Sequence, residues 1–221
     1  MLTTDMARAF VSTASTKASL KAWGRDASDV VGPVATQVAP GAVVLPRTKI
    51  DGRSVFPFVC FVAEEVERRR GLGIGAVLDR EAILRDVEGL DGDPLWQPPL
   101  TMACFASTEP LDKALKDLLG LRAYARTVAT TPSPSSLGHL GAAEFDLAGI
   151  AVVAVDETSG HVSPIVSGYA TSAPEASIPE FWIRLRQEQL FALALRRGSC
   201  QIDRLQPTRA ASSMAALQAP R

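Results

Sequence analysis

An α+β fold, with a mixed, mainly antiparallel sheet, a central hairpin and a C-terminal helix packed across it, is predicted by three features of this 221-residue chain. The first is the stretch from Ala143 to Ala170. It reads as a long apolar strand, a four-residue turn from Glu157 to Gly160, and a second strand carrying Pro164. The second is an Asp51-Gly52 dipeptide ahead of VFPFVCFVA, a hairpin signal leading into a buried strand. The third is a strand, helix, strand pattern between Leu100 and Ala129, a βαβ candidate. Hairpins and a crossover in one chain favour a mixed sheet over a doubly wound one.

In chain order, Met6, Phe10, Val11, Leu20 and Trp23 suit a helix over Thr4 to Trp23, ended by Gly24. A Pro- and Gly-punctuated segment follows through Gly41. AVVL before Pro46 is then a short strand stopped by proline. Val55 to Ala63 is apolar throughout and predicts a buried strand despite Pro57. Glu64, Glu65 and Glu67 precede Arg68, Arg69 and Arg70 before Gly71, the order of charges that a short helix prefers for its dipole. Asp79 caps a helix to Glu88 whose apolar face is Ile83, Val87 and Leu90, and Asp91 to Pro99 is a loop.

Leu100 to Ala106 is a strand. Ser107 or Thr108 caps the next helix, Pro110 sits in its first turn, Gly120 ends it, and LRAYARTVA is a second strand. Thr130 to Ser136 is a linker or surface loop. From Leu147 to Val155 every residue is apolar or glycine, so that strand needs cover on both faces and belongs inside the sheet. Pro164 cannot donate to a ladder, which places its strand at an edge with the ring nitrogen outward. Ser177 and Glu180 form a capping box for the C-terminal helix, Arg196 and Arg197 occupy its last turn, and Gly198 follows. Phe181, Trp182 and Leu185 continue its buried stripe. A short strand from Ser199 to Leu205 is a further option. Residues 1–205 are read as one domain and 206–221 as a flexible tail.

Composition excludes several function classes. The 47% hydrophobic content is that of a globular core, and 23 Lys plus Arg balance 24 Asp plus Glu. That balance gives no reason to expect nucleic acid or an anionic membrane as partner. No run approaches the ~18 apolar residues of a membrane span. The N-terminal stretch is the only place where a transit peptide competes with an ordinary helix, and Asp5 speaks against it. Three widely spaced cysteines without a CxxC read as reduced core thiols of a cytoplasmic protein, and two histidines are too few for a His-rich metal site. No cofactor or metal is expected.

Candidate chemistry competes with ordinary structure at each position. Gly71 to Ala76 spells GxGxxA, but the arginines before it replace the strand that a dinucleotide fold needs, so it reads as a turn ending a helix. Asp91-Gly-Asp93 lacks the later glutamate of a calcium loop and is a polar turn. Cys60 lies between Val59 and Phe61 as a core cysteine, away from a nucleophile's setting. Asp146 and Asp156 share a strand face by parity, near its opposite ends. Asp156, Glu157 and His161 read as turn and strand-start residues, with acid, base or metal-ligand roles as the alternative. Arg68 to Arg70, Arg184, Arg186, Arg196 and Arg197 are anion candidates; the helix dipole and the Glu180–Arg184 spacing explain most of them, leaving Arg68 to Arg70 as the better anion candidate.

The feature weighed highest is the edge strand, with binding residues His161, Ser163, Ile165, Ser167 and Tyr169. Edge strands capture extended peptides by adding a strand, although a proline there also serves simply to prevent aggregation. The expectation is therefore a cytoplasmic, non-catalytic accessory module that recognises a peptide or protein, its oligomeric state left open with a homodimer as one option. The alternative is a small-molecule enzyme with a polar pocket at the sheet end near Asp156 and His161.

Overall fold

A computed structural model describes residues 11–13, 21–89, 97–170 and 178–197. Its elements in order are β1 (Val11–Thr13), β2 (Lys21–Ala22), β3 (Arg25–Asp26), α1 (Ala27–Val38), β4 (Val43–Val44), β5 (Thr48–Ile50), β6 (Arg53–Phe61), α2 (Ala63–Gly71), α3 (Arg80–Val87), β7 (Leu100–Ser107), α4 (Leu111–Leu119), β8 (Arg126–Thr131), a 3₁₀ turn (Pro134–Ser136), α5 (His139–Leu147), β9 (Ala151–Val155), β10 (Val162–Val166) and α6 (Glu180–Arg197). Seven strands line up as β1-β5-β6-β7-β8-β9-β10, and β4 pairs with β6 beside β5. The pairs β7–β8 and β8–β9 are parallel, and the other pairs of this sheet are antiparallel. This is the mixed α+β sheet that the hairpins and the crossover predict. β2 and β3 form a separate two-stranded ribbon.

Both faces of the sheet are covered. On one, α1 lays Val30, Val31, Val34 and Ala35 against Phe56, Phe58, Val128, Val153 and Val155. On the other, α2, α4, α5 and α6 bring Val66, Leu118, Phe145, Leu190 and Phe191 onto Val55, Val59, Phe105 and Val152. The alternation along β9, with Val152 to one side and Val153 to the other, is the two-faced burial that its unbroken apolar sequence requires, and all five of its residues are buried.

Local chemistry explains several elements. Asp51 and Gly52 have φ of 50° and 78°, the paired left-handed values of a two-residue hairpin that joins β5 to β6. Pro57 lies inside an interior strand, which is unusual. Its carbonyl accepts from the Leu45 amide at 2.8 Å, so its missing N–H faces the same side, at the Leu45–Pro46–Arg47 interruption between β4 and β5. The proline therefore removes a donor where the neighbouring strand is already broken. Asp79 accepts from the Glu81 and Ala82 amides at 2.9 and 3.3 Å, capping α3 as the sequence indicates.

Several expectations need correction. Val11–Thr13 and Lys21–Ala22 are strands, so the described parts of the Thr4 to Trp23 stretch are not helical. The whole of α1 escaped the sequence reading, because Gly32 and Pro33 within it resemble loop punctuation. Its apolar residues nevertheless recur as Val30, Val31, Val34 and Ala35, and their burial outweighs the backbone bond that an interior proline forfeits. Pro110 itself is the N-cap residue of α4, with no side-chain cap from Ser107 or Thr108. β8 begins at Arg126, and the preceding residues of LRAYARTVA are turn. The apolar run from Leu147 divides. Leu147 ends α5 and is exposed, Gly149 turns the chain at φ +67°, and only Ala151–Val155 is strand. In α6, Leu185 is buried, whereas Phe181 and Trp182 stand half-buried, stacked edge to face on one another. Asp91, Asp93, Ser177, Gly198, the Ser199 to Leu205 option and the 206–221 tail lie outside the described residues, as does most of the N-terminal stretch.

Candidate functional site

The hairpin β9–β10 closes one end of the sheet, with β9 inside and β10 at the edge. Its turn is built by Asp156, whose Oδ1 accepts from the Thr158 amide at 3.0 Å, the Ser159 amide at 2.6 Å and the Ser159 hydroxyl at 2.7 Å. The Gly160 amide donates to the Asp156 carbonyl at 2.9 Å, with Gly160 in the left-handed region at φ +69°. The Ser159 amide and hydroxyl hold the Asp156 carboxyl below its ordinary range, the small burial cost opposes them, and the Thr158 amide and His161 add to the lowering. The Arg25 guanidinium donates to the Glu157 carbonyl, and Pro33 of α1 lies against the turn near Gly160.

The ladder's phase follows from one bond. The Asp156 amide donates to the His161 carbonyl at 2.8 Å while the His161 amide donates to the Ser159 hydroxyl, so the His161 carbonyl and the backbone groups of Ser163 turn toward β9, and those of residues 162 and 164 turn outward. Val162 thus offers an N–H and a C=O to the open side, and Pro164 offers only its C=O. Between Pro164 and Val166 the register shifts, a bulge that bends the edge.

Beside this edge, on the face that also carries α5, a cavity of about 390 Å³ opens beyond the carboxyl ends of the parallel strands β8 and β9. Pro132 and Pro134 form one wall, Ala154 of β9 contributes, and Asp156, Ser159, His161 and Ser163 supply its polar lining. His161 and Asp156 are exposed and Ser163 is half-buried. Two of the five predicted binding residues therefore meet at this cavity. Ile165 instead packs against the helix-rich core. Ser167 is exposed, and its carbonyl accepts from Arg126 at 3.4 Å. The Tyr169 ring lies where a side chain on Gly149 would go, and its amide donates to the Gly149 carbonyl at 2.8 Å. Glu157 is an exposed turn residue, and Asp146 sits on α5 rather than on the strand with Asp156, because the run divides at Gly149.

The arginine run has a different fate. Arg69 is buried and grips Glu188 of α6 with two bonds of 2.8 Å, while its Nε donates to Glu65 at 2.6 Å. Glu188 also accepts from the Val77 amide at 2.9 Å, and Arg184 approaches both Glu188 and Asp86 at 3.6 and 3.7 Å. Burial alone raises the Glu65 carboxyl, but bonds from Arg68 and Arg69 outweigh it and leave the carboxyl below its ordinary range. The result is a charge-balanced clasp joining α2, α3 and α6. The GxGxxA stretch is the loop that this clasp secures, and Gly73 at φ +66° donates to the Arg70 carbonyl as α2 ends. Sequence reasoning missed Glu188 because nothing local marks a glutamate whose partner lies 119 residues away.

A second cavity, about 730 Å³, lies between α3 and α6 beside Asp86, Gln97, Arg184 and Gln187. Cys60 is half-buried, and burial pushes its thiol up. Cys104 is fully buried with its thiol pushed up to about 12, against a small opposing effect of Arg126. Among the described residues, no three His, Cys, Asp or Glu side chains come together as metal ligands, and no helix is long and apolar enough to cross a membrane. Comparison with known proteins finds no matching family model, no similar curated protein and no similar solved structure.

Proposed function

We propose that this chain is a binding module that takes an extended segment of a peptide or protein partner along the outer edge of β10. The observation that carries this reading is the ladder phase, which turns the Val162 N–H and C=O and the Pro164 C=O away from β9. No further strand follows β10 among the described residues. A segment added there has one donor and two acceptors to pair with, while the cavity beside Ser163 offers a place for one of its side chains. Pro164 limits the length of the match, which favours a short, selective contact over sheet-to-sheet aggregation.

The test is a displayed library of random peptides selected on the immobilised protein. Val162→Pro removes the outward donor while keeping an apolar side chain, so selected peptides should lose roughly tenfold in affinity, the equivalent of one hydrogen bond. Arg70→Ala should leave binding intact. Peptides that bind the Val162→Pro protein as well as the parent would refute edge pairing. A second reading, a small-molecule enzyme, draws on the cavity's place beyond the carboxyl ends of β8 and β9, where open sheets with parallel strands commonly hold ligands. Asp156, Glu157 and His161 would be its acid, base or ligand groups. Turnover of a substrate by the isolated protein, lost on His161→Ala, would favour that reading over the first.

A further inference from the structure

The cavity beside β10 has a chemistry of its own, and it narrows the partner. We infer that it is a subsite for a cationic side chain, lysine or arginine, projecting from the segment paired with β10; this rests on the edge-strand reading. Its lining divides into two kinds of surface. Pro132, Pro134 and Ala154 are apolar, and Asp156, Ser159, His161 and Ser163 are polar, with the carboxylate and the two hydroxyls as oxygen acceptors. An aliphatic stem that ends in a cation matches that division, because its methylenes cover apolar wall while its head remains among oxygens. A wholly apolar side chain would cover the acceptors without satisfying them, at a cost in desolvation.

Charge points the same way. Among the cavity's lining residues Asp156 is the one carboxylate and His161 the one other titratable side chain, and none is lysine or arginine. Arg25, the cation bonded to the turn, is engaged with the Glu157 carbonyl and is not part of that lining. The Asp156 carboxylate is also oriented in advance. Oδ1 receives all three bonds from Thr158 and Ser159, and Oδ2 receives none among the described residues. A cation therefore meets a carboxylate whose rotation is already restricted, and loses less conformational entropy in pairing with it. Parity completes the match. Ser163 directs its side chain into the cavity, and the residue opposite it on an added strand would place its own side chain on the same face.

The experiment is amide NMR of the full chain titrated with three acetylated tripeptide amides, Val-Lys-Val, Val-norleucine-Val and Val-Glu-Val, and separately with n-butylammonium and n-butanol. The lysine peptide should move the amide signals of Ser159, His161 and Ser163 and bind about twofold to fivefold more tightly than the norleucine peptide, the scale of a solvent-exposed ion pair. Asp156→Asn keeps an oxygen for the turn and removes the charge, so the preference should vanish while the melting temperature holds. Equal binding of the lysine and norleucine peptides, or a preference that survives Asp156→Asn, would overturn the inference while leaving edge pairing intact. If instead peptide binding is unaffected by Val162→Pro, or no peptide binds, edge pairing fails. The small amines then decide the cavity alone, which stands if n-butylammonium moves those signals more than n-butanol and falls if it does not.

Discussion

The α2–α6 clasp and the β9–β10 turn are both organised by carboxylates that accept several bonds, yet they do opposite things. Glu188 is fully buried, and its oxygens are taken up by Arg69 and the Val77 amide. Asp156 is exposed and commits one oxygen to its own turn. Burial makes the first pair expensive to break and closed to a ligand, while exposure makes the second cheap to alter and open to one. The more heavily charged of the two regions is therefore structural, and the sparser one is the candidate site.

The largest expected effect tests the clasp. Glu188→Ala leaves Arg69 buried without its main partner and should cost about 3–5 kcal/mol in urea unfolding. A loss below about 1 kcal/mol would mean that the pair is not buried in solution. Next comes Gly168→Ala, which tests whether the hairpin's return segment is as tightly seated as the clasp. Gly168 has φ +59°, and a Cβ there would lie 2.3 Å from the Ala151 amide nitrogen. The strained conformation alone should cost about 1–3 kcal/mol, read by thermal denaturation.

Acid separates the regions by a smaller margin. Glu65 and Asp156 both have carboxyls below the ordinary range, so each contributes stability that is complete above its unfolded-state pKa, ~4, and is lost as pH falls through the lower folded value. Glu65→Gln should flatten the acid limb of a urea-midpoint profile between pH 7 and pH 3. Asp156→Asn, screened by solvent and retaining its turn oxygen, should barely change it. The smallest effect is expected one residue from the keystone: Arg70 is exposed, and Arg70→Ala should shift stability by no more than about 0.5 kcal/mol. An equal loss at Arg70 and Arg69 would erase the distinction between the surface and the buried arginine.

What the sequence by itself determined is local. The Asp51-Gly52 turn, the Asp79 cap, the charge order of α2 and the edge placement of Pro164 each depend on φ, a missing donor or a dipole, and these act within a few residues. The two-sided burial of Ala151–Val155 was legible for the same reason, since an unbroken apolar run has no polar face to offer to water. Tertiary structure alone decided which of three consecutive arginines is buried, because that depends on Glu188 arriving on α6 from far along the chain. It also decided that Gly32 and Pro33 belong to a helix, since four apolar side chains meeting the sheet outweigh a local preference, and that Pro132 and Pro134 face Asp156 and His161 across one cavity. Neither burial nor a cavity exists until separate segments pack together, and no property of a single segment encodes either one.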